Sequence, residues 1–204
     1  MGGVSEFDVV YDTGSDWLVI EGEYCSNCTG DKYDPNDSEG NPRRLAFEKS
    51  DRSYGSAYLT GYEYLDKVCL TLDKCVESFQ FFLIDSAQGI SEPIDGIMGL
   101  AQGHPVLIAP DARGSGPLYV EALYNDGIIS ANKFSFYFES MGGTSWLDLG
   151  EPNLDNIKAG SSLVDTQLLY DFYWSFEGMG FAVGTVDNAY GFANEEPSEY
   201  GYPL

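Results

Sequence analysis

A sharp polar turn between two strand-like runs is the feature that most restricts how this chain folds. Residues 7–11 and 17–20 are rich in the apolar and aromatic residues that favour strands, and they flank Asp12-Thr-Gly-Ser-Asp16. Gly14 permits a backbone path that a side chain would obstruct, so the turn holds the Asp12 carboxylate at a strand end. A rigidly held carboxylate suits acid–base chemistry, but an Asx turn without chemistry explains the same residues equally well.

Strand signals continue along the rest of the chain. Runs rich in β-branched and aromatic residues occur at 56–60, 63–65, 68–72, 76–84, 134–138, 146–149 and within 168–186. The 24 glycines and nine prolines supply turns between them, and residues 73–75 predict a hairpin turn. One helix is predicted near residues 118–125, ending close to Gly127. We therefore expect an all-β fold of packed, twisted sheets with one or two short helices.

Composition excludes several classes of protein. Hydrophobic residues make up 43% of the 204 residues and aromatic residues 15%, which is too rich for a disordered chain. The formal net charge of −23 repels a phosphate backbone, so nucleic acid is excluded as a partner. No run approaches the roughly 18 apolar residues that a membrane-spanning helix needs.

The four cysteines fall into two close pairs, Cys25 with Cys28 and Cys69 with Cys75. This spacing favours two local disulfides. A zinc site is the alternative, although five intervening residues are many for a zinc knuckle, and a thioredoxin-like redox pair lacks the surrounding βαβ pattern. Disulfides, together with glycosylation acceptor patterns at residues 27–29 and 36–38, favour the secretory pathway and an extracellular, lysosomal or vacuolar location.

Several motifs, in order, resemble the pepsin-like aspartic endopeptidase family. They are Asp12-Thr-Gly-Ser15, the Cys25/Cys28 loop, Tyr54-Gly55, Asp95-Gly-Ile-Met-Gly-Leu100, Lys133-Phe-Ser-Phe-Tyr-Phe138 and Leu149-Gly-Glu151. The resemblance covers essentially the whole chain. It implies a pepsin-like amino-terminal catalytic lobe with a flap hairpin over residues 1–150. Residues 151–204 then form an inter-lobe segment and the truncated start of the carboxy-terminal lobe.

The resemblance assigns a role to each matching residue. Asp12 corresponds to the first catalytic aspartate, Ser15 to a hydroxyl that hydrogen-bonds its carboxylate, and Thr13 to a brace between the lobes. The resemblance also implies three groups: a supporting turn of Thr13, Gly14 and Ser15, a flap of Tyr54, Gly55 and Ser56, and a substrate pocket lined by Val10, Ile94 and Ile97. Residues 97–99 correspond to a segment that crosses beneath the catalytic loop and supports it.

Two departures from the family pattern stand out. The tryptophan that normally hydrogen-bonds the flap tyrosine is replaced by Val19, while Trp17 lies two residues earlier on the same strand face. The second Asp-Thr/Ser-Gly motif is absent, because Asp165-Thr-Gln167 has glutamine in place of glycine. We therefore expect a fragment that lacks the second motif and the family's first strand.

The resemblance implies an aspartic endopeptidase that hydrolyses peptide bonds with a water activated between two aspartates, without metal or organic cofactor. Its partners would be a peptide or protein substrate and the missing carboxy-terminal lobe, and the fragment alone is expected to be inactive. The alternative is a catalytically inactive pepsin-like protein that binds peptides.

Overall fold

The computed structural model describes residues 1–55, 57–90, 93–103, 116–139, 142–169 and 173–178, and the backbone of 180–182 and 189–191. The chain divides into two compact units. The described part of the first unit runs to Leu163 and includes Tyr173 and Trp174. The described part of the second consists of 164–169, 175–178 and the two short strands at 180–182 and 189–191. The boundary expected after residue 150 remains a prediction.

Strands dominate the described residues, which confirms the predicted all-β fold. They are β1 (Val9–Asp12), β2 (Leu18–Glu21), β3 (Arg43–Arg44), β4 (Ser50–Tyr54), β5 (Ala57–Thr71), β6 (Lys74–Gln88), β7 (Gly96–Gly99), β8 (Phe134–Tyr137), β9 (Trp146–Leu149), β10 (Gly180–Ala182) and β11 (Ala189–Gly191). The predicted helix is α1 (Tyr119–Asn125), and Gly127 follows it with a φ of 70°. Two 3-10 turns lie at Pro35–Asp37 and Leu154–Asn156.

The main sheet has the strand order β1-β7-β2-β6-β5-β3, and β4 also pairs with β5. β7 lies between the two strands that flank the polar turn, parallel to β1 and antiparallel to β2. β8 and β9 form a separate antiparallel pair, as do β10 and β11. The far end of β7 therefore reaches the turn that joins β1 to β2.

Alternating side chains give the sheet two buried faces. On β2, Leu18 and Ile20 enter the larger core cluster, which also receives α1. Val19 points to the opposite face and packs in a second cluster, called here the Trp17 cluster, which consists of Trp17, Val19, Cys25, Leu59, Phe82, Ile84 and Ala87. The same alternation places Met98 of β7 in the larger core and Ile97 against the Trp17 cluster.

The β5–β6 hairpin is longer than the sequence patterns predict. The runs at 56–60 and 63–65 predict two strands with Gly61 between them, but β5 runs through Gly61 without interruption. A Cβ on Gly61 would lie 2.0 Å from the Leu83 carbonyl oxygen on β6, so this glycine provides a close approach between strands and does not form a turn. The predicted strand-rich stretch 168–186 falls partly outside the described residues.

Both predicted local disulfides are present. Cys25 is bonded to Cys28, and Cys69 to Cys75, which lies directly opposite it in the β5–β6 hairpin. All four sulfur atoms are therefore in disulfides, and the alternative of a zinc site with cysteine ligands is wrong. Within the described ranges, no helix has both the length and the apolar character needed to cross a bilayer.

Candidate active site

Asp12 is the last residue of β1, and the turn begins directly after it. The backbone N–H of Gly14 donates to Asp12 Oδ1 over 2.9 Å, which holds the carboxylate against the turn. A Cβ on Gly14 would stand 3.2 Å from the same oxygen, so a larger residue would press on the carboxylate. Asp12 is half-buried, whereas Thr13 and Gly14 are exposed. The turn therefore presents one carboxylate in a fixed orientation at the protein surface.

The end of β7 holds the turn through its backbone. Three N–H groups donate to carbonyl oxygens, from Gly99 to Trp17 (3.0 Å), from Leu100 to Asp12 (2.8 Å) and from Ala101 to Ser15 (2.8 Å). These bonds satisfy polar groups that a tight turn cannot pair internally. Of the predicted supporting segment 97–99, Gly99 makes one of these bonds, and the other two come from the two residues that follow it.

Ser15 does not make the hydrogen bond that the resemblance implies. Its side chain is buried, and Ser15 Oγ has no hydrogen-bond partner among the described residues. The Gly14 N–H donates to the Asp12 carboxylate instead. A serine hydroxyl can rotate to suit a partner, but here the backbone amide already lies beside the carboxylate.

Tyr54 ends β4 and pairs with Ala57 across a tight hairpin. Gly55 has a φ of 47°, a left-handed conformation that favours glycine, and Ser56, the other predicted flap residue at the tip, lies outside the described residues. The Tyr54 ring packs against the Trp17 cluster. Its hydroxyl is buried and has no hydrogen-bond partner in the described part of the chain.

Burial and three charged side chains determine the direction in which the pKa of the Tyr54 phenol is shifted. Burial raises the pKa of its phenol, and the Asp16 carboxylate raises this pKa further. The Arg52 guanidinium opposes the shift, and the Asp12 carboxylate makes a smaller contribution that raises the pKa. These contributions to its pKa indicate that the phenol lies near both carboxylates. The position of the hairpin over Asp12 remains a prediction.

Trp17, two residues before the position where the family pattern has its tryptophan, belongs to the cluster against which Tyr54 packs. Trp17 is 5% exposed and Val19 is fully buried, and both belong to the cluster that the Tyr54 ring contacts. Since residues 17 and 19 share a strand face, the indole reaches this cluster from two residues earlier.

The three predicted pocket residues lie on or next to β1 and β7. Val10 is opposite Ile97 in the parallel β1–β7 pair, so their side chains point to the same face. Val10 is 47% exposed, and Ile97 is partly buried against the Trp17 cluster. Ile94 is half-buried just before β7, where a Cβ on Gly30 would lie 2.4 Å from its carbonyl oxygen. Val10 and Ile97 therefore form an apolar pair beside the turn, and Ile94 lies near the Cys25–Cys28 loop.

Of two structurally important charged residues, Arg52 is absent from the sequence predictions, and Asp95 enters them only as the first residue of a family motif. Arg52 is 7% exposed, and its guanidinium lies over the Trp17 ring. The sequence feature that could have indicated Arg52 is its position two residues before Tyr54, because alternate residues of a strand share a face. The Asp95 carboxylate accepts the backbone N–H groups of Asp8 (2.6 Å) and Asp31 (2.7 Å), which ties the start of β7 to two loops.

A cavity of about 940 Å³ lies elsewhere on the first unit. It is lined by residues 1–9, by the end of the β5–β6 hairpin and by α1, and its lining includes neither the turn residues 12–17 nor the β4 hairpin residues 50–55. The turn and the β4 hairpin are therefore outside its lining, although Tyr11, Leu18, Met98 and Leu100, which flank the turn, belong to it.

Comparison with known proteins agrees with this geometry. The sequence profile described as eukaryotic aspartyl protease matches residues 3–194. Pepsin II-1 of Oryctolagus cuniculus is 31% identical over 144 residues, which cover 67% of this chain and 35% of that protein. Gastricsin of Cavia porcellus is 27% identical over 187 residues (87% and 44%), and pepsin A of Sus scrofa is 30% identical over 145 residues (66% and 34%). The chain thus spans between about a third and under half of these curated relatives.

Proposed function

The chain belongs to the eukaryotic aspartyl protease family, and from this membership we propose that the whole protein is an aspartic endopeptidase with Asp12 as one of its two catalytic carboxylates. The observation that carries the proposal is the Asp12 turn, which is held by backbone hydrogen bonds from residues 99–101. The Tyr54 hairpin adds support, since the phenol lies close enough for the Asp12 charge to raise its pKa. The second carboxylate belongs to the rest of the protein.

The proposed chemistry follows from placing two carboxylates close together. At a separation of about 3 Å both cannot ionise, so one keeps a proton while the other stays charged. The charged carboxylate takes a proton from a water molecule held between them, and the water oxygen attacks the scissile carbonyl carbon. The protonated carboxylate donates to the carbonyl oxygen, which gives a tetrahedral intermediate. When the C–N bond breaks, the leaving nitrogen takes the proton that the first carboxylate removed from the water, and the products are an amine and a carboxylic acid. These steps require neither a metal nor an organic cofactor.

The substrate is a peptide or protein, with apolar residues at the bond that is cut. Val10 and Ile97 supply apolar surface beside Asp12, and Ile94 completes the proposed pocket. The Tyr54 hairpin closes over the peptide and shields the reaction from water. Thr13 braces the turn against the other lobe, and the carboxy-terminal lobe is the partner that completes the site.

The proposed compartment is the secretory pathway, with an extracellular, lysosomal or vacuolar destination. The two disulfides form in oxidising compartments. Asn27 and Asn36, the acceptors in the two glycosylation patterns, are both exposed. A loss of mass after endoglycosidase treatment of the native protein tests this route.

The decisive experiment measures cleavage of a denatured, acid-soluble protein by the full-length protein, its Asp12→Asn variant and this chain alone. We expect activity from the full-length protein in acid and little at neutral pH, because the carboxylate pair loses its shared proton as the pH rises through its upper apparent pKa. We expect no cleavage by Asp12→Asn, which keeps the shape of the side chain but has no ionisable carboxyl group. The isolated chain should also be inactive as a monomer.

Two outcomes would contradict the proposal. Full activity of the Asp12→Asn variant would show that Asp12 is not catalytic. Binding of peptides by the full-length protein without cleavage, at any pH tested, would identify it as a catalytically inactive peptide-binding member of the family.

A further inference from the structure

Arg52 is a buried cation in the strand that leads to Tyr54. It lies in β4, is 7% exposed, and is paired with Leu59 of β5, which is fully buried in the Trp17 cluster. Burying a guanidinium costs free energy unless ion pairs and hydrogen bonds replace its water. Such a residue is therefore expected to have a defined set of partners.

The polar partners of Arg52 fix one edge of the guanidinium. Nη2 forms an ion pair with Glu63 Oε1 over 2.7 Å, and Glu63 Oε2 accepts from Gln80 Nε2 over 2.9 Å. Nη1 donates to Ser50 Oγ (3.2 Å) and to the Asp51 carbonyl oxygen (2.9 Å). Nε has no partner among the described residues. These contacts tie the guanidinium to β4 itself and to β5, and Glu63 in turn accepts from Gln80 of β6.

The face of the guanidinium packs on aromatic rings. Its central carbon lies 4.5 Å from the centroid of Trp17 and 4.7 Å from that of Phe82. Both distances are within the range of cation–π attraction, which strengthens when water is excluded. Trp17 is 5% exposed and Phe82 is fully buried, so this contact is shielded from solvent.

Trp17 connects this contact to the catalytic turn. Its carbonyl oxygen accepts the Gly99 N–H that holds the turn, and its side chain lies beneath Arg52. Arg52 and Tyr54 are alternate residues of β4 and share a face. The guanidinium is close enough to oppose the shift in the Tyr54 pKa that burial and Asp16 produce. The Gly99 hydrogen bond therefore links the turn to Trp17, the ring contact links Trp17 to Arg52, and the β4 backbone links Arg52 to Tyr54.

We propose that Arg52 is a positioning residue: stacked on Trp17 and anchored by Glu63, it fixes β4 above the catalytic turn and so sets the position of Tyr54 over Asp12. The inference rests on the proposed function for its catalytic consequence. The Tyr54 hydroxyl has no partner among the described residues, so the strand beneath it, and not a hydrogen bond from its own side chain, determines its place. Arginine is required because a planar guanidinium stacks on an indole and keeps its edge free for a carboxylate, which a lysine ammonium cannot do.

The first test is steady-state cleavage of a peptide at acidic pH by the full-length protein. Arg52→Met should lower kcat/KM by up to about thirtyfold, the fold-change that corresponds to one desolvated cation–π contact. Arg52→Lys should fall nearly as far, because charge alone does not restore the stack. Arg44→Met is the matched control, since Arg44 also lies over an aromatic ring, Tyr62 at 3.6 Å, but is exposed and donates to the carbonyl oxygens of Ala46 and Phe47. Its kcat/KM should not change.

A double-mutant cycle with Tyr54→Phe separates positioning from a general structural role. If Arg52 acts through Tyr54, Arg52→Met should change kcat/KM by less than about twofold in the Tyr54→Phe background. Independent, multiplicative effects of the two substitutions would overturn the proposal. Arg52→Met/Glu63→Gln removes both charges, so that an unpaired carboxylate is not the cause of any loss. This variant should show the same loss as Arg52→Met.

The second test needs no activity. Hydrogen exchange of residues 50–55 should become faster in Arg52→Met, while exchange in β2 and β7 stays unchanged; equal exchange of residues 50–55 in both proteins would overturn the proposal. If the wild-type full-length protein fails to cleave peptides, or Asp12→Asn is fully active, the proposed function fails. The exchange measurement still decides in that case whether Arg52 holds β4 in place.

Discussion

Gly99 and Asp16 pack backbone against backbone. A Cβ built on Gly99 would lie 2.4 Å from the carbonyl carbon of Asp16 and 2.7 Å from its Cα, so no side chain fits between the end of β7 and the turn. The Gly99 N–H also donates to the Trp17 carbonyl oxygen. The position of the Asp12 turn therefore depends on a strand end that carries no side chain.

Gly99→Ala tests this dependence. The added methyl group must displace the turn, and we expect the free energy of unfolding to fall by about 1–3 kcal/mol, the usual cost of overpacking. Gly103→Ala is the matched control, because its Cβ would lie at an ordinary 3.5 Å from Leu118 Cδ1, and its effect should stay within about 0.5 kcal/mol. Urea unfolding of both variants gives the comparison. Equal stabilities would show that the turn tolerates a shift of β7.

Removing a tyrosine hydroxyl should change the free energy of unfolding differently at two positions where the hydroxyl is buried. The Tyr33 hydroxyl donates to the carboxylate of Asp66, which is 1% exposed, so Tyr33→Phe should cost about 1.5–3 kcal/mol of unfolding free energy. The Tyr54 hydroxyl has no partner in the described residues, so Tyr54→Phe should leave stability unchanged or raise it by about 1 kcal/mol.

The activity of the same two variants gives an independent measurement. Tyr54→Phe should lower kcat/KM of the full-length protein despite its unchanged stability, because in the proposed function the phenol closes over the substrate at the turn. Tyr33→Phe should retain kcat/KM at temperatures where it remains folded. A stability loss in Tyr54→Phe as large as that in Tyr33→Phe would mean that its hydroxyl is hydrogen-bonded in solution.

The sequence predicts those features that depend on local patterns. Strands 134–137 and 146–149, the helix near 118–125 and the Cys69–Cys75 hairpin follow from residue type and spacing. Gly61 shows where such patterns fail, since the reason for a glycine there is the Leu83 carbonyl of a neighbouring strand.

In the candidate site, too, some features could be predicted from the sequence and others could not. The resemblance to a family indicated Asp12 and Tyr54, but it also implied a Ser15 hydrogen bond that the structure does not contain. Arg52 is the clearest omission: its strand face is predictable from Tyr54, but Trp17, over whose ring the guanidinium lies, is distant in sequence and becomes adjacent only in the folded protein. Contacts between residues far apart in sequence are set by tertiary packing and leave no local pattern.

The two disulfides should differ in what their removal costs. Both close short loops, so the chain-entropy contribution of each is about 2 kcal/mol. Cys25 is 2% exposed and packs in the Trp17 cluster, so Cys25→Ala/Cys28→Ala should cost about 1 kcal/mol more than Cys69→Ala/Cys75→Ala. Thermal unfolding without reductant measures both. A larger loss for the Cys69/Cys75 pair would show that the hairpin, and not the Trp17 cluster, limits stability.

Glu21 should make the stability of the fold depend on pH in a direction opposite to that of most carboxylates. Its side chain is 1% exposed and accepts the Gly30 N–H over 2.8 Å at Oε2. Burial raises the pKa of Glu21, and the amides of Gly30 and Thr29 oppose this only in part. Asp73 is the natural contrast, because the Thr71 hydroxyl is the largest cause that lowers its pKa.

The sign follows from proton linkage. The pKa of Glu21 is higher in the folded than in the unfolded protein, so at pH values between the two the folded state binds more protons. The contribution of Glu21 to stability is therefore complete below the unfolded pKa and is lost as the pH rises through the folded pKa. Compared with Glu21→Gln, the wild type should therefore become relatively more stable as the pH falls from neutral towards the unfolded value. Asp73→Asn should show a small change of opposite sign, since Asp73 stabilises above its unfolded pKa and loses this as the pH falls. Urea unfolding across this pH range tests both, and a constant difference between wild type and Glu21→Gln would mean that Glu21 titrates at the same pH in the folded and unfolded states.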